Sequence, residues 1–124
     1  MKKELDDELV RKYPKIFADR YKSAQETCMY WGFSCGEGWF NIIDQLCSDI
    51  QNYLDCNSGI QQVIAVQVKE KFGTLEFYIN SGDKYIYDLI NKASSQSKVI
   101  CENCGNSGKL IDDGWLKVRC ESCL

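Results

Sequence analysis

The sequence contains no histidine and a single proline among its 124 residues. Without histidine, the chain cannot form a Ser-His or Cys-His nucleophile pair, an imidazole general base or an HExxH metalloprotease helix. Cysteine, aspartate, glutamate, lysine and tyrosine remain, but no spacing among them matches a catalytic motif. We therefore expect a protein that is not an enzyme, and any metal site must consist of thiolates and carboxylates.

Long apolar runs and a strong charge of either sign are also missing. No stretch is long and apolar enough for a transmembrane helix, and the first ten residues, MKKELDDELV, lack the apolar core of a signal peptide. The 15 basic and 18 acidic residues give a net charge of −3, so bulk charge does not attract phosphate. We expect a cytoplasmic protein with no membrane partner, and the charge disfavours nucleic acid.

Hydrophobic periodicity predicts an α+β fold in which helices pack with an antiparallel hairpin. Apolar residues recur every three or four positions in the helical segments and alternate in the strands. The predicted elements, in order, are a helix over residues 3–12, a second short helix that Pro14 begins, a long amphipathic helix from 39 to about 55, a β-hairpin of strands 62–68 and 74–79, and a helix over 83–97.

Four of the eight cysteines form two CxxC pairs near the end of the chain, Cys101 with Cys104 and Cys120 with Cys123. Two residues between thiolates let one tight turn direct both sulfurs at one metal ion. The segment between the pairs is long enough for a short hairpin that turns at Asp112-Asp113-Gly114. The pattern predicts one structural Zn²⁺ in a zinc ribbon over 98–124, after an α+β domain over 1–97.

Residues 27–38 combine glycines with aromatic residues just before the long helix. Glycine lets the backbone approach a ligand closely, and aromatic faces can stack on a base, so a nucleotide-sized site is one hypothesis. The other is that the aromatic side chains simply fill the core beneath the helix. The candidate ligand-binding residues are Trp31, Phe33, Gly36, Gly38 and Trp39 from this loop, and Lys69 and Lys71 from the charged turn of the hairpin.

The other four cysteines, Cys28, Cys35, Cys47 and Cys56, have no paired spacing. Cys47 falls on the apolar face of the long helix, which is typical of a buried thiol. Cys28 and Cys35 could instead meet across the aromatic loop. Whether the four form a second metal site is left open.

Four strings carry a family resemblance: RKYPKIF at 11–17, WGFSCGEGWFNIIDQLC at 31–47, VKEKFGTLEFYINSGDKYI at 68–86, and the tail with CENCG and GWLKVRCESC. Together they resemble a group of small proteins that bacteriophages and prophages encode, and the resemblance covers most of the chain. It implies a phage accessory protein that acts in the cytoplasm of its bacterial host. It carries over no catalytic residue.

Two functional hypotheses follow. In the first, the chain is a non-catalytic binding protein that engages a host protein or sequesters a small host ligand, such as a nucleotide immune signal, against host defence. In the alternative, the zinc ribbon binds nucleic acid or modulates transcription. The sequence leaves the oligomeric state open, including a homo-oligomer.

Overall fold

The computed structural model describes residues 1–124 and has the predicted α+β fold, with three α-helices, a three-stranded sheet and a two-stranded sheet. None of the helices is both long and apolar enough to cross a membrane. The elements are α1 (Lys3–Lys12), β1 (Phe33–Ser34), α2 (Phe40–Asp55), β2 (Ala65–Lys71), β3 (Thr74–Ile79), α3 (Lys84–Ser97), β4 (Lys109–Asp112) and β5 (Leu116–Arg119), with 3₁₀ turns at Cys28–Trp31, Glu37–Trp39 and Glu121–Cys123.

The amphipathic helix α2 forms one side of the core. Its apolar residues recur at three- and four-residue spacing, and Ile43, Cys47 and Ile50 are fully buried. Helix α3 packs beside α2, and its N-terminus is capped because the Asp83 side chain accepts a hydrogen bond of 3.0 Å from the backbone N–H of Ile86. The predicted positions of both helices are confirmed.

The main sheet has the strand order β1-β2-β3, with β1 parallel and β3 antiparallel to β2. Val68 pairs with Phe77 on the buried face. Strand β2 continues to Lys71, past the predicted end, because Lys69 and Lys71 pair across the hairpin with β3. The predicted charged turn therefore contracts to Phe72 and Gly73, and both have positive φ, 53° and 80°.

The prediction of a second short helix from Pro14 is wrong, since residues 14–21 form successive turns. The side chains of Ile16 and Phe17 still enter the core, as the apolar pattern indicated. The backbone of these turns bonds to the main sheet instead of forming a helix, because the Ile16 carbonyl accepts a hydrogen bond of 2.8 Å from the N–H of Ala65 at the start of β2. Arg20 forms a largely buried ion pair of 2.9 Å with Asp6 on α1, and this pair connects the turns to that helix.

The C-terminal residues form the expected antiparallel hairpin of β4 and β5. This hairpin lies against the tip of the β2–β3 hairpin at Gly73, where a Cβ atom would come within 2.7 Å of the Leu110 side chain. Glycine therefore serves two needs at position 73, the left-handed backbone and the close approach of the second hairpin. The two hairpin tips lie side by side.

Candidate metal centre

The ligand sulfurs of Cys101, Cys104, Cys120 and Cys123 all lie within 4.8 Å of one another. The Cys104 and Cys120 sulfurs lie 3.5 Å apart. A tetrahedron with metal–sulfur bonds of about 2.3 Å separates its sulfurs by roughly 3.8 Å. The two CxxC pairs, which lie on opposite sides of the β4–β5 hairpin in sequence, are therefore gathered into one cluster that can hold a metal ion.

Tight backbone turns aim both pairs of thiols inward. At the first pair, the Cys101 carbonyl accepts a hydrogen bond of 2.9 Å from Gly105, whose φ of 83° favours glycine. The Cys101 N–H donates to the Asn106 carbonyl at 2.7 Å, which closes the turn. At the second pair, the Cys123 N–H donates to the Cys120 carbonyl at 3.2 Å within a 3₁₀ turn.

The environment of Cys101 favours a thiolate, the form that binds metal. Burial raises the pKa of the Cys101 thiol, but backbone N–H groups of Cys120, Cys104 and Asn103 outweigh burial and lower the pKa to about 6. Such N–H···S hydrogen bonds stabilise negative charge on sulfur. The residues present thus fit a metal ion with soft ligands, by donor type as well as by distance.

The turn that carries the first cysteine pair is in direct contact with the glycine loop that precedes α2. The Gly38 N–H donates to the Glu102 carbonyl at 2.7 Å, and the Gly36 N–H donates to the Glu102 carboxylate at 2.8 Å. The indole N–H of Trp39 donates to the Ile100 carbonyl at 3.0 Å. A Cβ at either glycine would overlap backbone atoms of the cysteine turn. The glycines are therefore needed for this contact, which leaves no space there for a ligand.

Glu102, the first residue between Cys101 and Cys104, connects several segments. Besides its contacts with the glycine loop, its carboxylate lies 3.3 Å from the guanidinium of Arg119, the last residue of β5. Its N–H donates to the Val118 carbonyl at 3.1 Å. Glu102 carries no local sequence signal for this role, because none of these partners is near it in sequence.

The five candidate ligand residues of the aromatic loop do not line one cavity. Phe33 and Trp39 are buried in the core, as the alternative hypothesis expected for these two aromatics. Gly36 and Gly38 are covered by the cysteine turn. Trp31 is 70% exposed, outside the core that the alternative hypothesis assigned to it.

The two candidate lysines lie on β2, where Lys69 pairs with Ser34 of β1 and Lys71 lies nearer the hairpin tip. Lys71 lines an open cleft of about 480 Å³ between the two hairpin tips, whereas Lys69 stands 5.7 Å from the Tyr78 ring centroid on the outer face of the sheet. The cleft also contains Phe72 and Trp115, which are not among the candidate ligand residues. Their only local signal is an aromatic residue beside a turn glycine in each hairpin.

The remaining four cysteines form no second cluster of metal-ligating side chains. Cys35 and Cys47 are buried, whereas Cys28 and Cys56 are exposed. Burial raises the pKa of the Cys35 thiol to about 12 and that of the Cys47 thiol well above its ordinary value, so both stay protonated at neutral pH. Cys47 is the buried core thiol that its position on α2 predicted.

No protein-family model, no curated protein and no solved structure matches the chain.

We expect Gly38→Ala to lower the free energy of unfolding of the metal-loaded protein by about 2 kcal/mol. The added methyl group overlaps the Cys101 carbonyl and displaces the hydrogen bond to Glu102. Gly59→Ala is the matched control, because no atom lies within 4 Å of that position, and we expect a change of at most about 0.5 kcal/mol. Denaturant unfolding measures both variants. Equal stabilities would contradict the close contact described for Gly38.

Proposed function

We propose that this chain is a non-catalytic accessory protein of a bacteriophage or prophage, that it holds one structural Zn²⁺ and that it engages a host protein in the bacterial cytoplasm. The closed cluster of four thiols, in contact with the body of the protein, is the observation that carries this proposal. The sequence resemblance supports the phage origin. The absence of histidine from the chain supports a role in binding rather than catalysis.

Zinc is the metal that the four cysteines favour. A tetrahedral set of four thiolates is typical of structural zinc and of iron–sulfur sites, and the CxxC spacing with an intervening hairpin is that of a zinc ribbon. Four protein ligands leave no open position for water or substrate, so the ion has a structural role. In small zinc-dependent folds, such an ion contributes on the order of 10 kcal/mol to folding.

Charge favours a host protein over a nucleotide or nucleic acid as the partner. Four thiolates add four negative charges and Zn²⁺ adds two positive ones, so the formal charge of −3 becomes −5 in the loaded protein. The cleft between the hairpin tips has the size of a small-molecule site, but its lining includes two carboxylates and one ammonium group. A phosphate group would meet net repulsion there.

We expect the purified protein to contain one zinc ion per chain and Cys104→Ser to lose it, because three thiolates and a neutral hydroxyl hold zinc poorly. Unfolding free energy should then fall by at least roughly 3 kcal/mol. Cys56→Ser is the matched control, since both cysteines are exposed but only Cys104 belongs to the cluster. Native mass spectrometry measures the metal content. Iron in place of zinc, or zinc retained by Cys104→Ser, would contradict the assignment.

The engagement of a host protein is tested by isolating complexes of the tagged, zinc-loaded chain from bacterial cells and rebuilding the complex from purified components. We expect one defined protein partner with a measurable dissociation constant. A bound ligand raises the Tm of the protein that it binds. In parallel, we therefore expect nucleotides to leave the Tm unchanged, because the acidic cleft repels their phosphate groups. Stabilisation by a nucleotide would favour ligand sequestration instead. Binding to DNA or RNA that weakens steeply with salt would favour the alternative function.

A further inference from the structure

The cleft between the two hairpin tips is lined by large aromatic side chains that are left in solvent. Phe72 is 71% exposed and Trp115 is 72% exposed, and both line the cleft of about 480 Å³. Aromatic residues are enriched at the centres of protein interfaces, where their burial contributes strongly to binding. Here they come from two separate hairpins, one in the main sheet and one beside the metal cluster.

The backbone at Phe72 gives a second and independent observation. Phe72 has a φ of 53°, and Gly73 follows with 80°, the pattern of a two-residue turn that favours asparagine, aspartate or glycine first. A phenylalanine there is strained, and its exposed ring gains little packing within the chain to offset the strain. Residues with a strained backbone cluster at functional sites such as ligand clamps.

The charged side chains in the cleft indicate which kind of chemical group it binds. Glu70 accepts a hydrogen bond of 2.7 Å from the Gly73 N–H, and Asp112 accepts one of 3.3 Å from the Gly114 N–H. Each carboxylate is thus oriented by its own turn and retains free acceptor positions. Lys71 also lines the cleft, and its ammonium group lies 5.8 Å from the centroid of the Phe72 ring. Two carboxylates against one ammonium group leave the cleft acidic as well as aromatic.

We propose that this cleft docks an arginine-bearing segment of the host protein partner, an assignment that rests on the proposed function. A guanidinium group stacks on aromatic faces and donates hydrogen bonds to carboxylates, so Phe72 and Trp115 bind its plane while Glu70 and Asp112 accept from its edge. Lys71 competes with the incoming cation. The negative charge of the whole chain adds to the attraction.

The test uses the zinc-loaded full chain labelled with ¹⁵N and two short blocked peptides, one with a central arginine and one with glutamate in its place. The three tryptophans give three indole N–H signals. We expect the arginine peptide, at about 5 mM, to shift and saturate the Trp115 signal. The Trp39 signal, which is buried and hydrogen-bonded, and the Trp31 signal should stay in place. The glutamate peptide should shift none of them.

Variants separate aromatic from electrostatic contributions. Trp115→Ala should weaken arginine-peptide binding about fivefold, whereas Trp31→Ala, similar in exposure, should not. The pair Glu70→Gln with Asp112→Asn keeps both turn acceptors and should weaken binding about threefold. Lys71→Gln should strengthen binding. Phe72→Asn should raise the Tm, because asparagine tolerates the left-handed backbone, and should still weaken binding.

Three results would overturn the assignment: no shift of Trp115, equal binding of the glutamate peptide, or weaker arginine binding after Lys71→Gln. The last would show that the Lys71 ammonium group helps to hold the peptide instead of competing with its guanidinium group. The proposed function fails separately. A rebuilt host complex with equal affinity for wild type and Trp115→Ala removes this docking site but keeps the function, whereas no host complex for the wild type removes the function itself.

Discussion

The hydrogen bond of 2.7 Å from the Gly38 N–H to the Glu102 carbonyl joins the body of the protein to the turn between the first two cysteines of the candidate metal cluster. It forms only because residue 38 has no side chain, and it requires the Cys101–Cys104 turn to hold its carbonyl outward. A metal ion held by the four cysteines would fix that turn by coordinating Cys101 and Cys104. Together with the hydrogen bonds of Gly36 and Trp39, this contact holds the C-terminal tail on the rest of the chain.

Other features follow from the same contact. With the cysteine turn seated on the glycine loop, the Trp39 indole reaches the Ile100 carbonyl, and Cys101 is buried while the other three ligands are more exposed. The β4–β5 hairpin is then held beside Gly73, and the cleft between the hairpin tips exists only because the two hairpins meet there. A metal ion held by the four cysteines would therefore also support the geometry of the proposed docking surface.

Local sequence patterns predicted the features that depend on residues close together in the chain. The three- and four-residue spacing of Ile43, Cys47 and Ile50 identified α2, and the two CxxC pairs identified the metal cluster. Long-range contacts escaped prediction. Gly36 and Gly38 were hypothesised to cradle a ligand, but their partner Glu102 lies 66 residues beyond Gly36 in the chain. The apolar spacing after Pro14 suggested a helix, yet a hydrogen bond from Ala65 holds that backbone in turns.

Amide hydrogen exchange at Gly38 tests the central contact most directly. In the zinc-loaded protein, the amide should exchange slowly, because its hydrogen bond to the Glu102 carbonyl must open first. After chelation, with metal loss verified by mass spectrometry, its protection should fall sharply, while amides in the middle of α2, such as Ile50, keep theirs. If the Gly38 amide stays equally protected in the metal-free protein, the metal does not hold the tail against the body of the fold.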